Sequence, residues 1–452
     1  MTQLADRIDA LSPEDLVRPS DVHPILRRSM LADGFDLVLD LTNSRGSTLV
    51  DARDGTRYLD LFTFFASNAL GMNHPSLADD PDFRDELLAA ALNKPSNSDV
   101  YSVPMARFVE TFARVLGDPA LPHLFFVEGG ALAVENALKV AFDWKSRWNE
   151  AHGIDPKLGT KVMHLQHAFH GRSGYTMSLT NTDPNKTARF PTFDWPRIPS
   201  PAVGDSASLA NLEAAEADAL GKARDAFAAH PHDIACFIAE PIQGEGGDRH
   251  LRAEFLQAMQ ALCVENDALF IVDEVQTGCG MTGTAWAYQQ LGLAPDVVAF
   301  GKKVQVCGVM AGGRVDEVAD NVFHVSSRIN STWGGNLTDM VRARRILEVI
   351  ERDGLILRAG VLGTGLVTQL HDLADSHPVV TNVRGRGLMC AFTLPDAGTR
   401  DAVITAARDD AHVIMLGCGG NSIRFRPALT VSEDELAHGV SAIDNVLTDL
   451  GL

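Results

Sequence analysis

Apolar residues fall into short unbroken runs, and the stretches between them alternate apolar and polar positions at helical spacing. The runs 124–127, 162–165, 235–239, 268–272 and 297–300 lack the period-two alternation of a half-exposed strand. Runs of that length suit strands covered on both faces, as in a parallel sheet. The Ala-, Glu- and Lys-rich stretch 132–148, the alanine-rich 209–229 and the stretch 253–266 predict helices. Strand, helix, strand repeated in this order predicts an α/β fold with a mostly parallel, doubly wound sheet.

The ends of the chain follow another pattern. Residues 1–50 suggest an arm, with a capped acidic helix at Ser12-Pro13-Glu14-Asp15 and a second helix after Pro24. Segments 39–42, 48–52 and 57–62, with Asp54-Gly55 as a turn, predict antiparallel strands. The aromatic stretch 62–72 has no clear period and 93–99 is a polar loop; either could line a pocket. Five prolines between Pro184 and Pro201 argue against regular structure there. A turn and strand are expected between Lys303 and Gly313, then a polar loop at 330–336 and a helix over 338–353. Strands at 388–393 and 422–429 predict a compact α+β unit. The expected division is 1–75 as an arm with part of a small domain, 76–340 as a large cofactor-binding domain, and 341–452 as the rest of the small domain.

Composition narrows the function. With 39 basic against 59 acidic residues, the formal charge of −20 disfavours nucleic acid and anionic membrane as partners. Six scattered cysteines without CxxC or metal-type spacing predict free thiols and no metal site. The N-terminus lacks signal-peptide regions and no apolar run approaches the ~20 residues needed to span a bilayer, so a cytoplasmic protein is expected.

Two run ends carry the candidate chemistry. The first of the pair stops at Asp273 and the second at Gly301-Lys302, which puts an acid and an amine at the carboxyl ends of two strands, where open α/β sheets bind ligands. Together they suit pyridoxal phosphate: the lysine forms the Schiff base and the acid partners the pyridine nitrogen. Taken singly, Asp273 could equally cap a loop and Lys302 and Lys303 lie on the surface. Glu128-Gly129-Gly130-Ala131 opens a helix with unpaired N–H groups, either a phosphate site or a plain tight turn. Phe169 could stack on a flat ring and Arg172 clamp a carboxylate, while the Thr332 hydroxyl could reach a phosphate or cap a turn. A competing reading is a dinucleotide-binding oxidoreductase, since Gly278-Cys279-Gly280-Met281-Thr282-Gly283 fits GxGxxG, but the first glycine lies five residues past the strand and no ribose-binding acid ends the next one.

Val272-Asp273-Glu274-Val275-Gln276-Thr277-Gly278 and Gly301-Lys302, with Glu240-Pro241-Ile242-Gln243-Gly244-Glu245-Gly246 upstream and Arg424-Phe425-Arg426-Pro427 downstream, resemble the fold-type I, class III (omega) aminotransferases over nearly the whole chain. The segments from Glu128, from Asn93 and from Phe323 to Asn336 most resemble the members acting on the ε-amine of L-lysine, with ornithine, 4-aminobutyrate and acetylornithine as alternative donors. The resemblance implies pyridoxal phosphate bound by Gly130, Ala131, Phe169, Asp273, Gln276, Lys302 and Thr332, the last from the neighbouring subunit of a homodimer. It implies that Lys302 shuttles the proton and Asp273 keeps the ring nitrogen protonated. For the substrates, L-lysine and 2-oxoglutarate, it implies Arg172 on the far carboxylate, Gln276 beside the ring, and Arg424 on the near carboxylate of 2-oxoglutarate, masked by Glu245 when lysine is bound. The phosphate turn departs from the class by having Gly-Gly-Ala where many members have Gly-Ser/Thr-Glu, and the lysine is doubled, so strand register must exclude Lys303.

Overall fold

The computed structural model describes residues 17–204 and 208–452. The acidic helix expected at Ser12–Asp15 lies outside the described residues.

A seven-stranded sheet forms the centre, in the order His123–Val127, Cys307–Ala311, Val297–Phe300, Leu269–Asp273, Ile234–Ala239, Lys161–Leu165, Arg197–Ile198. All five expected apolar runs are in it. From 297 to 197 neighbouring strands are parallel, whereas Cys307–Ala311 runs antiparallel to both its neighbours. The sheet is therefore parallel but for one strand, which returns directly from the end of Val297–Phe300. Every residue of Ile234–Ala239, Leu269–Asp273 and Val297–Phe300 is buried, which is why these strands are apolar throughout except for the terminal Asp273. Helices Gly130–Ala151, Leu209–Ala229 and Ala253–Glu265 supply the cover, with Trp144 fully buried on the first.

Beyond the long helices Leu337–Arg352 and Leu355–Ser376, an antiparallel sheet of Thr381–Arg386, Met389–Thr393, Ser422–Phe425 and Leu416–Cys418 is flanked by helices Ala397–Asp409 and Glu433–Asp449. Thr48–Val50 and Arg57–Asp60 pair antiparallel as the Asp54-Gly55 turn predicts, and Val413–Ile414 joins the sheet parallel to Arg57–Asp60. The leading strands thus pack with the C-terminal part of the chain.

Three local expectations change. Segment 39–42 is not a strand: Leu39 makes a single bridge to Asp51, because the Asp40 carboxylate accepts the N–H of Thr42 and of Asn43 at 2.8 and 2.9 Å and turns the chain. The proline-rich stretch holds a helical turn at Pro184–Lys186 and the edge strand Arg197–Ile198, flanked by Pro196 and Pro199, an arrangement open to an edge because a strand there leaves N–H groups unpaired. The aromatic segment forms a left-handed turn, with φ of 41°, 53°, 60° and 63° at Thr63, Phe64, Phe65 and Ala66. No helix among the described residues is long and apolar enough to cross a membrane, and all six cysteines are buried free thiols.

Candidate active site

The parallel register brings the acid and the amine together. Ala299 pairs with Asp273, so the chain leaves one strand at Asp273 and the next, three residues past that pairing, at Lys302. Asp273 is buried and held from two sides: its Oδ2 lies 2.7 Å from His170 Nδ1 and its Oδ1 accepts the Val275 N–H at 3.0 Å. Burial opposes an imidazolium at His170, but the hydrogen bond and charge of Asp273, aided by Glu240, prevail and raise its pKa. His170 and Asp273 are therefore joined as one hydrogen-bonded pair. His170 Nε2 is buried with no partner among the described residues.

Glu240, at the end of the adjacent strand, accepts the N–H of Phe169 at 3.0 Å and of Gly244 at 3.1 Å. It thereby pins the Phe169 backbone to the strand ends. Burial pushes its pKa up to about 7, against the pull of His170. Sequence reasoning gave neither His170 nor Glu240 a role; their places beside Phe169 and before Pro241 at strand ends were the available signal.

Lys302 adopts φ 51° at the start of a helical turn. Its amine makes no hydrogen bond among the described residues, and burial, then Arg424 and Arg426, lower its pKa to about 8 against Glu240 and Asp273. Lys303 takes another course: its Nζ donates to the carbonyls of Gln276 at 2.8 Å and Ala66 at 3.3 Å. The doubled lysine is thus resolved by hydrogen bonding, one amine open to a ligand and the other committed to backbone.

The glycine turn is built for close approach. Gly129 has φ 103° and no side chain caps the helix Gly130–Ala151, which leaves its first N–H groups available. A Cβ on Gly130 would meet Val275 Cγ1 at 3.1 Å and one on Gly301 the same atom at 3.6 Å, so Val275 spans the phosphate turn and the lysine strand. Gly171, with φ 118°, packs against Ala131, where a Cβ would stand 2.5 Å from that of Ala131. Segment 169–172 therefore lies over the helix start.

On the other side, Arg424 is buried and bonds Glu245 Oε2 at 2.9 Å; its Nε is a buried donor without a partner among the described residues. Burial raises the pKa of Glu245, but Arg424 and Lys186 outweigh it, so the carboxylate is held below its ordinary range. Gln276 accepts from Arg426 Nε at 3.0 Å, and Arg426 also pairs with the fully buried Asp248. Phe65 of the left-handed turn puts its ring 6.0 Å from the Arg424 guanidinium. Arg172 is exposed, with no hydrogen bond or ion pair to another described residue. Thr332 is exposed on a loop held by Asn97, which donates its backbone N–H to the Trp333 carbonyl at 3.1 Å and its side-chain Nδ2 to the Gly335 carbonyl at 3.0 Å. Among the described residues no bond joins Thr332 to the Lys302 cluster. The GxGxxG stretch forms turns followed by only the short helix Ala287–Gln290, with Gly278 against Trp286, and lacks the strand–turn–helix of a dinucleotide site.

A buried acid, an amine in a crevice of strand ends and an uncapped helix start together suit a pyridoxal-phosphate enzyme, and residues 31–447 match the model of the class III aminotransferases, so the chain belongs to that family. The chain is 68% identical to the L-lysine-epsilon aminotransferase of Mycobacterium bovis over 95% of its own length and 96% of the relative's. It is 63% identical to that of Streptomyces clavuligerus, covering 95% and 94%. The solved lysine aminotransferase of M. tuberculosis in its internal aldimine form superposes with a TM-score of 0.95 at 67% identity, over 96% of this chain and 100% of that one.

The family's cofactor is pyridoxal phosphate, and the residues present fit it. The uncapped N–H groups at Gly130 and Ala131 suit a phosphate, the unbonded Lys302 amine suits an aldehyde, and the His170-backed Asp273 suits a protonated ring nitrogen.

Proposed function

We propose that this enzyme transfers the ε-amino group of L-lysine to 2-oxoglutarate in a ping-pong cycle. The products are L-glutamate and 2-aminoadipate 6-semialdehyde, which cyclises to piperideine-6-carboxylate. The enzyme works as a cytoplasmic homodimer with shared sites, the large domain spanning about 76–340 and the small one drawn from both ends of the chain. The observation that carries the reading is the ion pair between the buried Arg424 and the half-buried Glu245, with Arg424 close enough to Lys302 to lower its pKa.

Bound pyridoxal phosphate supplies an aldehyde that takes up amino groups and a ring that accepts the electron pair left when a neighbouring carbon loses its proton. Gly130 and Ala131 would hold the phosphate with backbone N–H groups, and Thr332 of the partner subunit would add its hydroxyl. Phe169 would stack on the ring and Gln276 would lie on its hydroxyl side. Asp273 would keep the ring nitrogen protonated; an ion pair at hydrogen-bond distance and an effective dielectric of about 20 is worth on the order of 5 kcal/mol before desolvation. Lys302 would shuttle the proton between the substrate carbon and the cofactor, and a pKa of about 8 suits both taking it up and giving it away near neutral pH.

Substrate choice follows from charge. Arg172 binds the carboxylate far from the reacting carbon in either substrate. Lysine presents methylenes next to its reacting amine, where a bare buried Arg424 would be costly, so Glu245 stays on it. 2-Oxoglutarate presents a carboxylate there, which takes Arg424 and displaces Glu245. The test is to incubate the enzyme with 2-oxoglutarate and L-lysine, ornithine or 4-aminobutyrate in turn and follow glutamate. Glutamate from lysine together with the cyclised aldehyde is expected; an inert lysine beside an active ornithine would reject the donor.

A further inference from the structure

We propose that Lys186 is the second station of the Glu245 switch, a positioning residue that holds the carboxylate when it leaves Arg424 and so sets how readily 2-oxoglutarate binds. The proposal rests on the reading in which Glu245 masks Arg424.

The two oxygens of Glu245 are divided between two cations. Lys186 Nζ lies 2.5 Å from Oε1 and Arg424 2.9 Å from Oε2. Lys186 closes the helical turn Pro184–Lys186, 59 residues from Glu245 in sequence, and its Nζ is also 3.5 Å from Thr182 Oγ1 and 5.3 Å from the Phe169 ring centroid. It thus stands between the switch and the ring-covering aromatic. The Glu245 backbone cannot follow its side chain: its carbonyl accepts the Gly419 N–H at 3.0 Å, and Gly246 packs so tightly on the His167 carbonyl that a Cβ would come within 2.1 Å. Movement must therefore be a side-chain rotation. A cleft bordered by Thr182, Lys186, Glu245 and Gly417 gives that rotation room on the Lys186 side.

Charge explains why a second cation is useful. A half-buried carboxylate with Arg424 as its sole partner would lose its compensation on leaving, and an incoming carboxylate would have to repel it as well as replace it. With Lys186 already on the other oxygen, Glu245 trades one of two partners and never stands unpaired. Lysine, which leaves Glu245 on Arg424, should be indifferent to Lys186.

The test measures the two half-reactions separately by single-turnover absorbance, and the binding of glutarate, an inert dicarboxylate, by calorimetry. Lys186→Met should lower kcat/KM for 2-oxoglutarate about five- to tenfold, mainly through KM, weaken glutarate by a similar factor, and leave the lysine half-reaction within about twofold. Lys186→Arg should restore both, and Lys186→Met added to Glu245→Gln should have no further effect. Equal losses in both half-reactions, a loss confined to lysine, or no change in glutarate binding would overturn the role of Lys186. If Glu245→Gln also leaves the ratio of the two half-reactions unaltered, the masking reading itself fails; if Glu245→Gln shifts the ratio and Lys186→Met does not, only Lys186 is wrongly placed.

Discussion

The amine of Lys302 should be far more reactive near neutral pH than an ordinary lysine. Burial, Arg424 and Arg426 bring its pKa from 10.5 to about 8. At pH 7 about one amine in ten is then neutral, against roughly three in ten thousand at the usual value, a gain of about 300-fold in nucleophile, or about 3 kcal/mol. The assay is to strip the enzyme of cofactor, offer pyridoxal phosphate between pH 6 and 10, quench with borohydride and quantify modified Lys302 by peptide mass. The attachment rate should level off with a midpoint near pH 8. Arg424→Gln removes a facing cation and should move the midpoint up, while Glu240→Gln removes a facing acid and should move it down. A rate still climbing at pH 10, or a midpoint indifferent to Arg424, would refute the electrostatic account.

Asp273→Asn should lower kcat by 100-fold or more, corresponding to about 3 kcal/mol or more of lost stabilisation, and weaken cofactor retention, read by turnover and by visible absorbance after dialysis. Gly171→Ala should cost on the order of 1–3 kcal/mol in unfolding free energy, through its φ of 118° and its contact with Ala131, and should loosen the cofactor by disturbing the segment over the phosphate turn. Lys303 has its pKa depressed by burial to about 7, so its contribution to stability is complete above the unfolded value of 10.5 and fades as pH falls toward 7. Lys303→Met should accordingly be more harmful relative to the parent at pH 9.5 than at pH 7 in denaturant titrations; the opposite trend would show that its amine is charged in the folded protein.

The central strands were legible because a strand buried on both faces tolerates little but apolar residues, and the pairing of Asp273 with Lys302 followed from two such runs ending in polar residues. What the sequence concealed was tertiary. Nothing local distinguishes Lys302 from Lys303; only the carbonyls of Gln276 and Ala66 do. His170 sits next to the Phe169 that was singled out, yet its bond to Asp273 spans 103 residues. Lys186 lay in a proline-rich stretch with no motif, and segment 39–42 alternates like a strand until the Asp40 side chain captures its own backbone.

The left-handed turn at Thr63–Ala66 is made of residues that each prefer another conformation by roughly 1–2 kcal/mol. It persists because Asp60 accepts the N–H groups of Phe62 and Thr63, Thr63 bonds the Arg426 carbonyl, and Lys303 and Gln305 bond the carbonyls of Ala66 and Ser67. Phe65 therefore hangs beside Arg424 like a shutter on a sprung hinge whose catches are elsewhere. Loosening one catch, such as the one made by Asp60, would shift Phe65 against Arg424 with neither side chain altered.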